Sequence, residues 1–343
     1  MGDGEVTLKN IADAVGKSVA TVSKALRNHP DIAPGTRALV KQVAGEMGYR
    51  PNVAAQRLQK KRADALGLIL PLLSARQADP FFTELLSGVA DEAASHDFDL
   101  LVLTRPPGPA EQTAYRRLVA ARRVDGVIVA QPRRQDWRLE FLTAQGIPFV
   151  GVGHFSPSLG APGVWIDAAR GLQQAVAHLA EQGRSRLALI PPPDDLRFAP
   201  VCRQAFRVEV GACPGLAGQT SVEIDALTQK EGYRAAQILL AGTTPPDAII
   251  ACHDLVAMGA MAAAQDQGFE IGNDLAVVGF GDILLAEHAQ PPLTSLHQPT
   301  YAIGQQACRM MLNTLAGNPD PSPQVIIEPW LVIRQSSSLA LWL

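Results

Sequence analysis

A chain of 343 residues, 47% apolar and 18% charged, is longer than one hydrophobic core usually serves and too apolar for a disordered protein, so two or three globular domains are expected. The formal charge of −3 by itself argues against a nucleic-acid partner, yet residues 1–62 carry a net +6 and the remainder a net −9. A small basic head ahead of a large acidic body is the pattern of an arm for a polyanion.

The first helix is predicted from Thr7, which stands at an N-cap position before the helically spaced Leu8, Ile11, Ala12 and Val15; Gly16 ends it. Ser18 caps a second helix that turns Val22, Ala25 and Leu26 inward and leaves Val19, Ala20, Thr21, Ser23 and Lys24 on or near the outer side. Two short helices about a glycine turn make a helix-turn-helix. After a loop at 29–35, a third helix is predicted to begin at Thr36, with Leu39, Val40, Val43 and Met47 as its apolar stripe and Gly48 at its end. The small, polar outer face of the second helix suits a major groove about 12 Å wide, with neighbouring hydroxyls and cations for phosphates. Residues 52–62 cluster Val53, Ala54, Arg57 and Leu58 only if helical. A helix that short is marginal alone, so it is expected to order on docking.

Beyond Asp64 short apolar runs alternate with amphipathic segments: strands are predicted at 66–70, 100–103, 127–130, 148–150, 164–166, 187–190, 248–251 and 275–279. Helices are predicted at 81–96, 110–122, 139–145, 168–182, 203–210, 230–240 and 255–267. Such alternation implies parallel sheets covered by helices on both faces, and a break near 165–167 suggests two of them. Nucleotide phosphate signatures are absent: no G-x-G-x-x-G opens a helix and no G-x-x-x-x-G-K-[ST] occurs. Two doubly wound domains facing each other hold a small molecule between them, at the carboxyl ends of the strands.

Cys202, Cys213, Cys252 and Cys308 show neither C-x-x-C spacing nor paired histidines, so no disulfide framework, zinc site or other cofactor is expected. The N-terminus lacks the features of a signal peptide, and no apolar run reaches the roughly 18–20 residues of a membrane span. A soluble, cytoplasmic chain with no membrane partner is the expectation.

The run TLKNIADAVGKSVATVSKAL at 7–26, continued by YRPNVAAQRL at 49–58, resembles the head of the lactose-repressor (LacI/GalR) family of bacterial transcription regulators. CHDLVAMGAM at 252–261, DLAVVGFGD at 274–282 and PPLTSLHQP at 291–299 also look like family motifs, in order, so the likeness runs from Thr7 to about Arg334. It implies a helix-turn-helix DNA-binding domain at 1–51, a hinge helix at 52–62, and an effector-binding and dimerisation core at 63–343. The core is of periplasmic-binding-protein type: an N-subdomain near 63–165 and 295–320, and a C-subdomain near 166–294 and 321–343. The final crossing between them is expected within 318–324.

By the same resemblance, Val19, Ala20 and Lys24 read base edges, and Thr7, Thr21, Ser23, Thr36 and Tyr49 mainly position the backbone of a double-stranded operator; Ser18, the cap of the second helix, is counted with the DNA-binding residues. Leu58, flanked by Asn52, Ala55 and Gln56, wedges between central base pairs. Val19 and Ala20 cannot make the bidentate bonds of Gln or Arg, which gives Lys24 part of the sequence reading. One helix reading one half-site binds too weakly, so a homodimer on a near-palindrome is implied.

For the effector the resemblance points to Phe81 and Phe82 of DPFF at 79–82, to His154, Arg203, Leu227 and His253, and to Asp282 as a remaining acid. Gly153 and Gly281 stand where sugar-binding members carry acids, and His253 where Asn is usual. A less hydroxylated glycoside, an acidic sugar derivative held by Arg203, and a chain that has lost effector response all fit this pattern. A repressor released by a sugar or glycoside is the default expectation; a corepressor-dependent regulator and a transport-type solute-binding protein are the alternatives. His253 beside Asp254 lacks a nucleophile elbow, so Asp254 is expected to cap the helix at 255–267 and no catalysis is expected.

Overall fold

The computed structural model describes residues 6–49, 62–71, 79–154, 162–216, 224–319 and 323–338, and the chain divides into two compact units between Arg62 and Ala63. In the first, α1 (Leu8–Val15), α2 (Val19–Leu26) and α3 (Pro34–Glu46) enclose Ile11, Ala12, Val22, Ala25, Val40 and Ala44. Asn10 N–H donates to Thr7 Oγ1 and Thr7 N–H to Asn10 Oδ1, a reciprocal cap. Gly16 ends α1 at φ 63°, a left-handed conformation that costs glycine little. Helix α3 starts at Pro34, not at Thr36: proline's fixed φ suits the first helical position, and Ala33 precedes it without a side-chain cap. Leu39 is 46% exposed rather than part of the stripe, because Val40 and Ala44 occupy the inward face.

The second unit holds two sheets. The first contains β1 (Ala65–Leu70), β2 (Asp99–Thr104), β3 (Gly126–Ala130), β4 (Phe149–Val152), β5 (Gly163–Ile166) and β10 (Gln324–Ile327), in the order β10-β5-β4-β3-β1-β2, all parallel. Around it lie α4 (Pro80–Ala94), α5 (Pro109–Ala120) and α6 (Trp137–Ala144). The second sheet contains β6 (Leu187–Ile190), β7 (Ala248–Ala251), β8 (Ala276–Gly281), β9 (Thr294–His297) and β11 (Trp330–Val332), in the order β11-β9-β8-β7-β6. Its helices are α7 (Ala168–Glu181), α8 (Phe198–Ala212), α9 (Gln229–Leu240), α10 (Asp254–Asp266) and the short α11 (Leu284–His288). Helix α12 (Thr300–Leu315) packs on the first sheet through Ile303, Ala307 and Met311.

Two subdomain boundaries differ from expectation. Residues 295–297 belong to β9 of the second sheet, and β10 belongs to the first, so the last crossing lies at Glu328-Pro329 and not within 318–324. β10 pairs along β5 before Pro329, which has no N–H to continue a ladder, and β11 then enters the second sheet antiparallel to β9. Helices α4 and α12 approach backbone to backbone, since a Cβ on Gly88 would strike the Tyr301 carbonyl and one on Gly304 the Leu85 carbonyl.

A buried charge network holds the loop after β3. Arg138, fully buried, places Nε and Nη2 on Asp136 at 2.8 and 2.6 Å, and donates to the carbonyls of Ala130 and Gln131. Arg133 grips the equally buried Glu111 at 2.7 and 2.8 Å. Burial would push the Asp136 carboxyl up, but hydrogen bonds from Arg138 outweigh it and hold it below the ordinary range. The stability this contributes is present above the unfolded carboxylate value of about 4 and is lost as pH falls through the lower folded value. Asp136→Asn should therefore cost about 3–5 kcal/mol by leaving Arg138 underpaired, and should flatten the acid limb of the stability curve. Denaturant unfolding across a pH series measures both.

Candidate functional site

On α2 the Ser18 hydroxyl accepts the Thr21 N–H at 3.1 Å and lies 2.8 Å from the Thr21 hydroxyl. This cap starts the helix so that Val19, 44% exposed, and Ala20 face outward beside Lys24. The Lys24 ammonium stands 3.5 Å from Asp31. Thr7 lies exposed at the start of α1, Ser23 and Thr36 are half-buried, and the Tyr49 ring packs against the core of the head. The expected hinge residues Asn52, Ala55, Gln56 and Leu58, and the segment 339–343, lie outside the described residues.

In the second unit the loops at the carboxyl ends of the two sheets meet. Arg134 N–H donates to the Asp195 carbonyl at 2.8 Å and Arg197 N–H to that of Pro132 at 3.0 Å, an antiparallel bridge across the cleft. The Arg197 guanidinium adds bonds to the carbonyls of Arg133 and Arg134, both at 3.1 Å. Elsewhere across the cleft, His253 Nε2 lies 3.0 Å from Asp79 Oδ2. His253 Nδ1 accepts the Leu255 N–H at 3.2 Å, which leaves the proton on Nε2 for donation to Asp79. Burial would lower the His253 pKa, but the Asp79 carboxylate more than offsets this and the net shift is upward. The histidine, and not Asp254, caps α10; Asp254 is the first helical residue and accepts from Ser295 Oγ at 2.6 Å and Ile283 N–H at 2.8 Å.

Between these contacts lies a cavity with about 120 Å³ of enclosed space, continuous with an open mouth. Its two ends differ. At one, the His154 ring lies between Trp165 and Phe198, with both centroid distances 5.9 Å, and Phe280 meets Phe198 edge-on. Burial lowers the pKa of His154, which keeps the ring uncharged near neutrality. At the other end stand Asp79, Glu84, His253, Gln298 and Thr300. Burial raises the Glu84 pKa; His297 works against it, while Asp282 and Asp79 push it further up.

Among the expected effector residues, Phe81, His154, Leu227 and His253 line this cavity. Three others do not. Phe82 is 6% exposed and packs in the core of the first sheet, since its neighbour Phe81 takes the cleft side of α4. Arg203 turns to Asp194 and Asp225, whose carboxylates capture its guanidinium away from the cavity. Asp282, at φ 54°, is engaged by Arg334 at 2.7 Å and by His297 at 2.8 Å. Glu84, Trp165, Phe198 and Phe280 were missed. Glu84 sits one turn after Phe81 on the same helix face, the one sequence signal that pointed to it.

A helix-turn-helix head joined to two doubly wound lobes with a cavity between them defines, as a class, a DNA-binding regulator with a small-molecule sensor. Residues 7–52 match the family described as bacterial regulatory proteins, lacI family, and residues 176–337 match a periplasmic binding protein-like domain. The HTH-type transcriptional regulator AglR of Rhizobium meliloti (strain 1021) is 34% identical, with 98% of this chain and 95% of that protein covered. The transcriptional regulator CelR in complex with cellobiose superposes with a TM-score of 0.75 at 28% identity, covering 97% of this chain and all of that one. The lac repressor dimer bound to operator and the anti-inducer ONPF shares the fold, with a TM-score of 0.85 at 22% identity and coverage of 98% and 100%.

The chain belongs to the lacI family of bacterial regulatory proteins, and it is a DNA-binding transcriptional regulator. No described helix is long and apolar enough to cross a membrane.

The cross-cleft bridge makes a direct prediction. Arg197→Ala removes its side-chain half, so amide hydrogen exchange should quicken at residues 133–134 and 195–197 with little change in α7 or β6. Exchange followed by mass spectrometry reads this out.

Proposed function

We propose that this regulator is a cytoplasmic repressor that binds a near-palindromic operator as a homodimer and is released when a saccharide enters the cleft between its lobes. The observation that carries the effector half is the cleft itself: an aromatic-lined cavity sits beneath polar contacts that a ligand can remake. Cellobiose in the CelR complex supports the ligand class, and the operator-bound lac repressor dimer supports the assembly. An inducer must bind the arrangement with weak DNA affinity more tightly than the DNA-competent one; linkage permits no other sign.

On DNA, Val19 and Ala20 meet apolar base edges such as a thymine methyl, Lys24 supplies the polar contact, and Thr7, Ser18, Thr21, Ser23, Thr36 and Tyr49 hold the sugar-phosphate backbone. Leu58, with Asn52, Ala55 and Gln56 around it, is assigned the minor-groove wedge. No catalytic step is assigned, because the acid and histidine at 254 and 253 are committed to Ser295, Ile283, Leu255 and Asp79.

Selection from a random duplex library should enrich a two-fold symmetric motif, and failure to enrich any motif overturns the proposal. Lys24→Ala should cost about 1–3 kcal/mol on the selected site and relax one base position per half-site. Leu58→Ala should weaken specific binding while leaving salt-sensitive non-specific binding largely intact, as measured by footprinting across a salt series.

A further inference from the structure

Three carboxylates gather at the polar end of the cleft, and two are already satisfied. Asp79 accepts the Phe81 N–H on Oδ1 at 3.0 Å and His253 on Oδ2. Asp282 accepts from Arg334 on one oxygen and His297 on the other. Glu84 lines the cavity, half-buried, and has no hydrogen-bond donor among the described residues. Burial raises its pKa, and the two neighbouring acids add to the rise. A carboxylate drawn partly out of water without donors is an unfavourable arrangement that a ligand bearing donors relieves.

The ligand's other end is set by the opposite wall. Trp165, Phe198, Phe280 and Phe81 offer ring faces and edges, and the neutral His154 ring stacks among them. Arg203, the cation that would have received an acidic sugar, is held by Asp194 and Asp225. The charge offered to a ligand at the polar end is therefore that of Glu84, since His253 there already donates to Asp79 and Asp282 is held by Arg334 and His297.

We propose that Glu84 selects the effector: a saccharide with an apolar ring face for the aromatic wall and a cluster of O–H or N–H donors, without negative charge, for the Glu84 carboxylate. This rests on the saccharide reading of the cleft given above. Neutral and amino sugars share the required chemistry, whereas phosphorylated sugars and sugar acids are repelled by the Glu84 carboxylate, the acid there without a cationic partner among the described residues.

The test is calorimetric titration of the full chain with cellobiose, maltose and trehalose, each beside its amino-substituted and 6-phosphorylated counterparts. The proposal expects the neutral or amino form of at least one disaccharide to bind at least tenfold more tightly than its phosphorylated form. Glu84→Gln, which keeps the shape of the side chain, should lose about tenfold for that ligand with an unchanged melting temperature. Glu84→Lys should narrow or reverse the preference against phosphate. A phosphorylated form that binds as well as the neutral one, or affinity indifferent to Glu84→Gln, overturns the role of Glu84 while leaving a saccharide cleft standing. Absence of binding by every form of all three disaccharides sinks the saccharide reading itself, and this assignment with it.

Discussion

Across their cleft the two lobes of the sensor unit meet through hydrogen bonds and stacked rings, and the aliphatic packing they share is at Ile166 and Ile327, where the chain crosses between the sheets. Most of each core is its own: Leu68, Ile128 and Val150 in one, Leu189, Ile250 and Val278 in the other. An apolar interface of that extent would lock the lobes. Polar contacts such as Arg197 on the carbonyls of residues 133 and 134, and His253 on Asp79, have water as a ready substitute partner. Exchanging them for contacts to a ligand changes the free energy only by the difference between two polar partners, a balance that a small ligand can shift.

That balance is useful only if the rims are rigid. Arg138, Asp136, Arg133 and Glu111 hold the loop after β3 from inside, so its carbonyls are presented to Arg197 in fixed positions. Opposite, Asp254 ties the start of α10 to β9 and to the residue before α11, fixing His253 at the cleft edge. Burying such charges costs several kcal/mol unless every partner is in place. The return is a pair of rims whose carbonyls and side chains are held in place beside the cavity.

The head was readable from the chain because its determinants are local. Capping hydroxyls at Thr7 and Ser18, a left-handed glycine at 16 and helical spacing of Ile11, Val22 and Val40 act over a few residues, and a basic outer face needs only composition. The alternation of strands and helices was legible for the same reason. The cleft was less so. Phe81 and Phe82 are adjacent and chemically identical, and which one faces the cavity depends on the rotation of α4 set by its packing against α12. Arg203 looked like a ligand-binding arginine until Asp194, nine positions before it, and Asp225, twenty-two after, were brought to its guanidinium.

The sequence alone determined the class of this protein: a basic three-helix head followed by two α/β lobes with family motifs in order, since local periodicity and turn chemistry need no knowledge of distant neighbours. Tertiary structure alone decided which side chains share the cavity, that the last crossing falls at Pro329, and that Glu84 has no donor among the described residues while Asp79 and Asp282 are satisfied. The physical reason is that the pairing of a charge depends on groups far away in the chain. Asp79 meets His253 and Asp282 meets Arg334 only after both sheets have formed and faced each other.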